Sequence, residues 1–174
     1  MVDVLIALGS NVGNSLENLQ EAVSRLSQEL DLIEVSAIYE TAPMYVEDQP
    51  KFLNAAILVK TDRGPREVLK LLKSLEQQIG RQTRQVYGPR EIDLDLIAYG
   101  AVSYRFTDGK TKVLQVPHPR VPERRFVLQP LYDVAPDFNL PGLGTVSILL
   151  KETESQSDCV IKLDHALLPV PSHQ

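Results

Sequence analysis

Apolar and polar positions follow two different periods along the chain, and their order predicts the secondary structure. A nearly continuous apolar run over residues 2–8 is typical of a buried strand. A stripe with steps of three and four then predicts an amphipathic helix, which Asn14 or Ser15 can cap. The stripe consists of Leu16, Leu19, Val23, Leu26 and Leu30.

The next segments repeat this order of strand and helix. Alternation over residues 33–39 predicts one strand, and alternation over residues 52–61 predicts another. Pro65 suits the first turn of a second helix, and Gly80 suits its C-terminal end. Residues 92–99 predict the strand that follows this helix.

The order strand, helix, strand, strand, helix, strand is that of the split βαβ or ferredoxin-like pattern. We therefore predict an α+β fold in which an antiparallel sheet carries both helices on one face, and the other face is available for ligands or added elements. A C-terminal hairpin and further helices are expected as additions. The hairpin turns at Asp108-Gly109, and the helices lie near residues 123–132 and 145–151.

The chain shows no internal repeat and no linker. We expect a single domain over residues 1–174, with residues 155–174 as a peripheral tail. With 43% hydrophobic and 24% charged residues the composition is that of an ordinary globular protein, and the longest apolar run is too short for a bilayer. Cys159 is the only cysteine, and no secretory signal opens the chain, so we expect a cytoplasmic protein.

The distribution of charge is more informative than its total. The net charge is −5, which disfavours a general nucleic-acid binder. Arginines nevertheless cluster in residues 81–90 and again in residues 118–125. An acidic protein with two local arginine clusters suits a small polyanion better than a long one, although the alternative is that these are solvated loop charges.

The most specific feature is the segment from Gly88 to Ile97, because it places Asp93 and Asp95 two positions apart on a predicted strand. Such side chains point to the same face, about 6–7 Å apart, and repel each other unless a cation lies between them. Magnesium suits this arrangement, since it binds one or two carboxylates together with substrate phosphates. The alternative is an acidic, solvated strand face.

Neighbouring residues favour phosphoryl chemistry. Arg90 begins this strand, and Arg81 precedes it in a polar segment, so both can neutralise and position phosphates. On another strand, Phe52 and Asn54 share the face away from the helices, where a ring can stack on a heterocycle and an amide can pair with its edge. Asn54 could also be an ordinary polar residue of a solvated face.

Four segments carry a further pattern: Leu8-Gly9-Ser10-Asn11, Phe52-Leu53-Asn54-Ala55-Ala56, Gly88 to Ile97, and Val116-Pro117-His118-Pro119-Arg120. Together they resemble one known family, the 6-hydroxymethyl-7,8-dihydropterin pyrophosphokinases of folate biosynthesis. The resemblance extends from residue 4 to about residue 142, and the G-P-R-x-x-D-L-D pattern is its most specific part.

The resemblance implies an activity and a role for individual residues. The activity is transfer of pyrophosphate from ATP to 6-hydroxymethyl-7,8-dihydropterin, with Asp93 and Asp95 holding two magnesium ions. The residues implied to act in catalysis are Arg81, Arg90, Asp93 and Asp95. Those implied to contact ATP are Glu76, Arg81, Arg90, Ile97, His118, Arg120 and Arg124. Those implied to contact the pterin are Thr41, Pro43, Phe52, Asn54, Tyr87 and Phe126.

Several of these assignments have structural alternatives. His118 could be a solvent-facing loop histidine, and Phe126 could be a core aromatic at the start of a helix. Tyr87 stands where some family members have tryptophan, so an aromatic group is kept but its size differs. The polar segments 45–51 and 81–89 are candidate closing loops. Residues 9–13 lack the lysine and spacing of a phosphate-binding loop and predict only a turn.

Two other classes of function share parts of this pattern. RNA-recognition domains have the same order of strands and helices, but they present aromatic residues where this chain has Asp93 and Asp95. A diverged relative could bind nucleotide or pterin without turnover. We expect an enzyme with small-molecule substrates, no nucleic-acid or membrane partner, a monomeric state and no essential general base.

Overall fold

The computed structural model describes residues 1–42, 48–80, 91–109, 113–164 and 167. The strands in these ranges are β1 Val2–Ser10, β2 Asp31–Val35, β3 Tyr39–Thr41, β4 Phe52–Thr61, β5 Asp93–Tyr99, β6 Tyr104–Thr107, β7 Val113–Val116, β8 Asn139–Leu140, β9 Gly144–Thr145 and β10 Val160–Lys162. The α-helices are α1 Ser15–Glu29, α2 Pro65–Ile79, α3 Arg125–Val134 and α4 Val146–Glu152. Val121–Glu123 and Glu154–Cys159 form short 3-10 helices.

The main sheet is antiparallel and has the strand order β10-β3-β4-β1-β5, with β2 also paired to β4. β1 and β4 lie in the interior of the sheet, where each pairs with a strand on both of its sides. Their long apolar runs suit this position, because both faces of an interior strand are covered here. The ladder between them is continuous from Val2 opposite Thr61 to Ser10 opposite Leu53. This arrangement confirms the predicted split βαβ sheet.

Helices α1 and α2 cover one face of this sheet, as the apolar stripes predict. Leu19, Val23 and Leu26 of α1 are fully buried, and so are Val68 and Leu72 of α2. The Asn14 side chain accepts a hydrogen bond from the Glu17 amide and caps α1, while Gly80 ends α2 at φ +104°. A left-handed residue at this position favours glycine, so both predicted helix ends are confirmed.

Helix α3 packs on the opposite face and makes the architecture three-layered. Leu128 and Leu131 lie in a second apolar cluster with Leu5 and Ala7 of β1 and Ala56 of β4. The small side chains at positions 7 and 56 allow the helix to approach the sheet closely. The added elements therefore close part of the face that the sequence pattern leaves open. Within the described residues no helix is both long and apolar enough to cross a membrane.

The single strand predicted over residues 33–39 is wrong, because the structure has two strands, β2 and β3, separated by residues 36–38. At the break the Ser36 amide donates to the Ala56 carbonyl, and the Ala56 amide donates to the Ser36 hydroxyl at 2.8 Å. A side-chain oxygen thus replaces a backbone acceptor, and the regular ladder is interrupted.

The C-terminal additions largely follow the predicted pattern. β6 and β7 form the expected hairpin, and Gly109 has the positive φ that the turn requires. Thr145 caps α4 at the predicted position. The tail contributes more than was expected of it, since β10 pairs with β3 at the sheet edge and Leu167 is 2% exposed.

The second apolar layer gives a stability prediction. Leu128→Ala should lower the free energy of unfolding by about 2–5 kcal/mol, because it leaves a cavity between α3 and the sheet. Ile148→Ala on α4 is the matched control, since Ile148 is 55% exposed and its loss should cost about 0.5 kcal/mol or less. Urea unfolding of both variants measures the difference, and equal values would mean that α3 is not part of the cooperative core.

Candidate active site

The two aspartates lie side by side on β5, on the face opposite α1 and α2. Leu94 between them is fully buried under the helices, whereas Asp93 and Asp95 are half-buried. The ladder with β1 places Asp93 opposite Gly9 and Asp95 opposite Ala7. The period of two along the strand therefore produces the shared face that the sequence predicts.

The electrostatics of this pair favour a bound cation. Burial, and then the neighbouring Asp93 carboxylate, raise the pKa of Asp95 well above the usual carboxyl range. Lys73 and Arg124 counteract this in part. The described residues contain no cluster of three or more His, Cys, Asp or Glu side chains able to hold a metal. Two carboxylate donors with coordination positions left for phosphate and water fit magnesium.

Three of the predicted pterin residues, Thr41, Phe52 and Asn54, lie across β1 from the aspartates, on the same face of the sheet. Asn54 of β4 is 7% exposed, and its amide donates to the Thr41 hydroxyl at 2.7 Å. Phe52 is half-buried and pairs across the ladder with Thr41 of β3. An amide, a hydroxyl and an aromatic ring thus lie close together, as recognition of a flat polar heterocycle requires.

The site has two halves, the aspartate half on β5 and the predicted pterin half on β4 and β3, and Gly9 of β1 lies between them. It lies opposite Asn54 on one side and opposite Asp93 on the other. A Cβ atom at this position would lie 3.0 Å from the Asn54 Oδ1 atom, closer than ordinary packing allows. Since neighbouring strands are spaced by nearly 5 Å, the Cα atoms of Asn54 and Asp93 are about 10 Å apart. Because Gly9 has no side chain, the space above β1 between the two halves of the site stays unfilled.

The cationic side of the site follows β7. The His118 amide donates to the Ile97 carbonyl at 2.8 Å, and the His118 Nδ1 atom accepts from the Arg120 amide at 3.2 Å. The Arg124 guanidinium lies 5.7 Å from the centre of the Phe126 ring. Phe126 is half-buried at the start of α3 and packs on the second apolar cluster. The structure thus brings His118, Arg124 and Phe126 to the end of α3 nearest the aspartates.

Burial makes the His118 imidazole neutral near pH 7. Burial, and then the positive charge of Arg124, lower the pKa of His118 to about 4. Asp93 raises it, but by less. Because Nδ1 accepts a hydrogen bond, the neutral ring carries its proton on Nε2 and can donate it to a phosphate oxygen.

Ile97 and Arg120 are predicted to contact ATP, and their side chains lie in opposite surroundings, one buried and one exposed. Ile97 is 1% exposed in the second apolar cluster, and it is the extra residue of a β-bulge, since Ile6 pairs with Leu96 and Leu5 with Ala98. Arg120 is exposed and lies 3.8 Å from Glu123. Their contacts with ATP stay predictions.

Glu76 lies on the other side of the sheet from the aspartates. Its carboxylate is buried under α2, 2% exposed, and accepts a hydrogen bond from the Leu94 amide at 2.8 Å. The Lys73 ammonium lies 3.4 Å from it. The bond to Leu94 holds the backbone between Asp93 and Asp95, so Glu76 supports the strand that carries them. A contact with the adenosine stays a prediction.

Four predicted site residues lie outside the described part of the chain. They are Pro43, Arg81, Tyr87 and Arg90. Residues 45–47 of the first candidate closing loop and the whole of the second, residues 81–89, lie outside it as well. Their roles are therefore carried by the sequence alone.

Comparison with known proteins identifies the family. A family model described as 7,8-dihydro-6-hydroxymethylpterin-pyrophosphokinase matches residues 5–136, well over half of the chain. The chain belongs to the 7,8-dihydro-6-hydroxymethylpterin-pyrophosphokinase family. This result confirms the resemblance inferred from the sequence.

Relatives of known name agree with this assignment. The chain is 45% identical over 133 residues to the mitochondrial folate synthesis bifunctional protein of Pisum sativum, a match covering 76% of this chain and 25% of that protein. It is 42% identical over 131 residues to the 2-amino-4-hydroxy-6-hydroxymethyldihydropteridine pyrophosphokinase of Bacillus subtilis, covering 74% and 75%. The chain thus spans about a quarter of the plant bifunctional protein.

A solved structure shares the fold. The wild-type HPPK-DHPS of Plasmodium falciparum superposes with a TM-score of 0.74 at 16% identity, and the match covers 90% of this chain and 42% of that one. At this identity the likeness shows the fold alone. It agrees with the α+β architecture predicted for this family member.

Sequence reasoning included Ser10 and Asn11 in a segment that resembles the family but assigned neither residue a role in the site. Residues 9–13 predict only a turn, but Ser10 is 0% and Asn11 is 3% exposed. The available signal was the order of residues: two polar side chains directly follow Gly9, the glycine that faces the site near the end of β1. A buried polar group requires a hydrogen-bond partner, and the local sequence pattern does not show which distant residue provides it.

The role of Glu76 as a support for β5 predicts a graded loss of stability. Glu76→Ala removes the acceptor of the buried Leu94 amide and should lower the free energy of unfolding by about 1–3 kcal/mol. Glu76→Gln keeps an acceptor oxygen and should lose less. Gln77→Ala, on the exposed side of the same helix, is the control. Chemical denaturation of the three variants measures this order, and equal stability of Glu76→Ala and Gln77→Ala would contradict it.

The lowered pKa of His118 predicts a pH dependence of stability. Between about pH 6.5 and about pH 4 the unfolded chain binds a proton at His118 and the folded chain does not, so the free energy of unfolding falls as the pH falls through this window. His118→Gln lacks this contribution and should lose less stability between pH 7.5 and pH 4.5. Denaturation at both pH values compares the proteins, and NMR titration of the ring near pH 6.5 would refute the shift.

Proposed function

We propose that this protein transfers a pyrophosphoryl group from ATP to 6-hydroxymethyl-7,8-dihydropterin, giving AMP and the pterin diphosphate in folate biosynthesis. One observation carries the proposal. Asn54 lies about 10 Å across the sheet face from Asp93, with Thr41 and Phe52 beside it, and Gly9 leaves the space between the two sides open. A heterocycle and a polyphosphate can therefore lie side by side on one surface.

The proposed reaction is an in-line displacement at phosphorus. The hydroxymethyl oxygen of the pterin forms a bond to the β-phosphorus, the bond from this phosphorus to the oxygen bridging to the α-phosphate breaks, and AMP leaves with that electron pair. The proton of the alcohol is released to solvent. Two magnesium ions, when bound, would offset the triphosphate charge and lower the pKa of the alcohol.

The side chains of this protein would supply position and charge. Asp93 and Asp95 would hold the metal ions, and their mutual repulsion in the partly buried site favours a cation between them. His118 would donate its Nε2 proton to a phosphate oxygen, and Arg124 would add positive charge beside it. Arg81, Arg90 and Arg120 are proposed to bind the triphosphate as well. Substrates would thereby be aligned without a dedicated general base.

The heterocycle would be bound by the other half of the site. The Asn54 carbonyl oxygen can accept from an N–H group of the pterin, since its amide nitrogen is oriented by Thr41. Phe52 and Phe126 would contact the flat faces of the ring system, together with Tyr87 and the backbone at Pro43. Recognition of both ring edge and ring face distinguishes a pterin from a simple apolar ligand.

We also propose that the protein acts as a monomer in the cytoplasm. A site built entirely from one chain supports the first part. Cys159, the single cysteine, is exposed and unpaired with any other cysteine, which is compatible with a reducing compartment. The plant relative named above carries a mitochondrial name, so fractionation and a sedimentation measurement are the direct tests of compartment and oligomeric state.

The activity predicts metal-dependent and pterin-dependent release of AMP from ATP. Asp95→Ala should reduce kcat at least about a hundredfold, because it removes a metal ligand that acts on the transition state. Asp31→Ala, which removes an exposed carboxylate on β2, should leave the rate unchanged. AMP is measured by chromatography with each component omitted in turn. A folded parent protein that binds pterin but releases no AMP would instead be a diverged binding protein.

A further inference from the structure

Ser10 and Asn11, at the end of β1, are buried polar residues with bonds to two separate parts of the site. Backbone pairing of β1 ends where the site begins: its ladder with β4 ends at Ser10 opposite Leu53, and its ladder with β5 ends at Gly9 opposite Asp93. Beyond these positions side chains provide the connections that the ladders no longer provide.

Ser10 connects β1 to the segment directly before β5, the strand that carries Asp93 and Asp95. Its hydroxyl donates to the carbonyl of Glu91, two residues before Asp93, and lies 3.4 Å from the Asn18 amide nitrogen. In the part of the chain that the structure describes, β5 is the edge strand of the main sheet and pairs there with β1 alone. The Ser10 bond therefore restrains the backbone that enters the metal-binding half.

Asn11, in the turn after β1, connects this turn to the segment directly before β4, the strand that carries Phe52 and Asn54. Its amide nitrogen donates to the Gln49 side-chain oxygen and to the Pro50 carbonyl, both at 3.0 Å. Pro50 lies two residues before Phe52 and four before Asn54. Asn18 of α1 holds the turn itself, because its amide also donates to the Val12 carbonyl at 3.0 Å.

We propose that Ser10 and Asn11 are positioning residues, Ser10 for the metal and nucleotide half of the site and Asn11 for the pterin half. This inference rests on the proposed function. The two halves share one central strand, and the gap between them decides whether the alcohol oxygen lies near the phosphorus. Displacement by about 1 Å is enough to slow such a reaction about a hundredfold. The Ser10 bond and the two Asn11 bonds together restrain this gap from the central strand.

The two positions should separate in binding experiments. Ser10→Ala removes the donor to Glu91 and should weaken binding of Mn²⁺ and of the Mn²⁺–nucleotide complex about tenfold, with pterin affinity changed less than about twofold. Asn11→Asp removes both donors and places a carboxylate against two oxygens. It should weaken pterin binding about tenfold and leave nucleotide affinity nearly unchanged. Both variants should lower kcat.

The test uses the full chain, with Mn²⁺ binding followed by electron paramagnetic resonance, a non-hydrolysable ATP analogue by calorimetry and the pterin by its fluorescence. Ser27→Ala, which removes an exposed hydroxyl bonded within α1, is the control. Ser10→Thr keeps the donor and should restore metal binding. If Ser10→Ala fails to fold, Ser10→Cys provides a weaker donor of similar shape.

The outcomes separate this inference from the activity on which it rests. The assignment is supported if Ser10→Ala loses mainly metal and nucleotide affinity and Asn11→Asp loses mainly pterin affinity, with the melting temperatures of both variants close to that of the parent. Equal weakening of both ligands by both variants, or no weakening by either, would show a merely structural turn and overturn the assignment while leaving the activity intact. A parent protein that binds neither ligand would overturn the proposed function and the assignment together.

Discussion

The pairing of β1 with a strand on each side is the constraint on which the site depends. Because the ladders with β4 and β5 are both in register at Gly9, Asn54 and Asp93 face the same surface at a fixed separation. A shift of either strand by one residue would turn its functional side chains toward α1 and α2. The hydrophobic residues that prevent such a shift, Leu8 and Leu94 among them, are therefore as necessary to the site as the polar ones.

Burial of the opposite face makes this register hard to change. The cluster beneath α1 and α2 contains Leu8, Leu94 and Ala55, each next in sequence to a residue of the site. Moving these side chains to the other face would expose them to water at a cost of several kcal/mol. The same alternation that buries the core thus presents the carboxylates, and stability and chemistry use alternate positions of the same strands.

Helix α3 delimits the site and supports both of its ends. Arg124, directly before its first turn, acts electrostatically on Asp95, and Phe126 lies in that turn. Asp133 in its last turn accepts hydrogen bonds from the Tyr39 hydroxyl at 2.8 Å and from the Ala37 amide at 3.1 Å. Burial and this carboxylate raise the pKa of Tyr39, so the phenol stays protonated as a donor. The helix thereby connects the aspartate side of the sheet to β3, which carries Thr41.

The sequence by itself determined the order of strands and helices, the helix ends at Asn14 and Gly80, and the pairing of Asp93 with Asp95 on one face. These follow from local rules, since side-chain period and capping act within a few residues. It did not determine the break at Ser36, the packing of α3 over Ala7 and Ala56, or the partners of Ser10, Asn11 and Glu76. Those depend on contacts between distant segments, and only the tertiary structure decided them, because a buried polar group is satisfied by whichever segment the fold brings within hydrogen-bond distance.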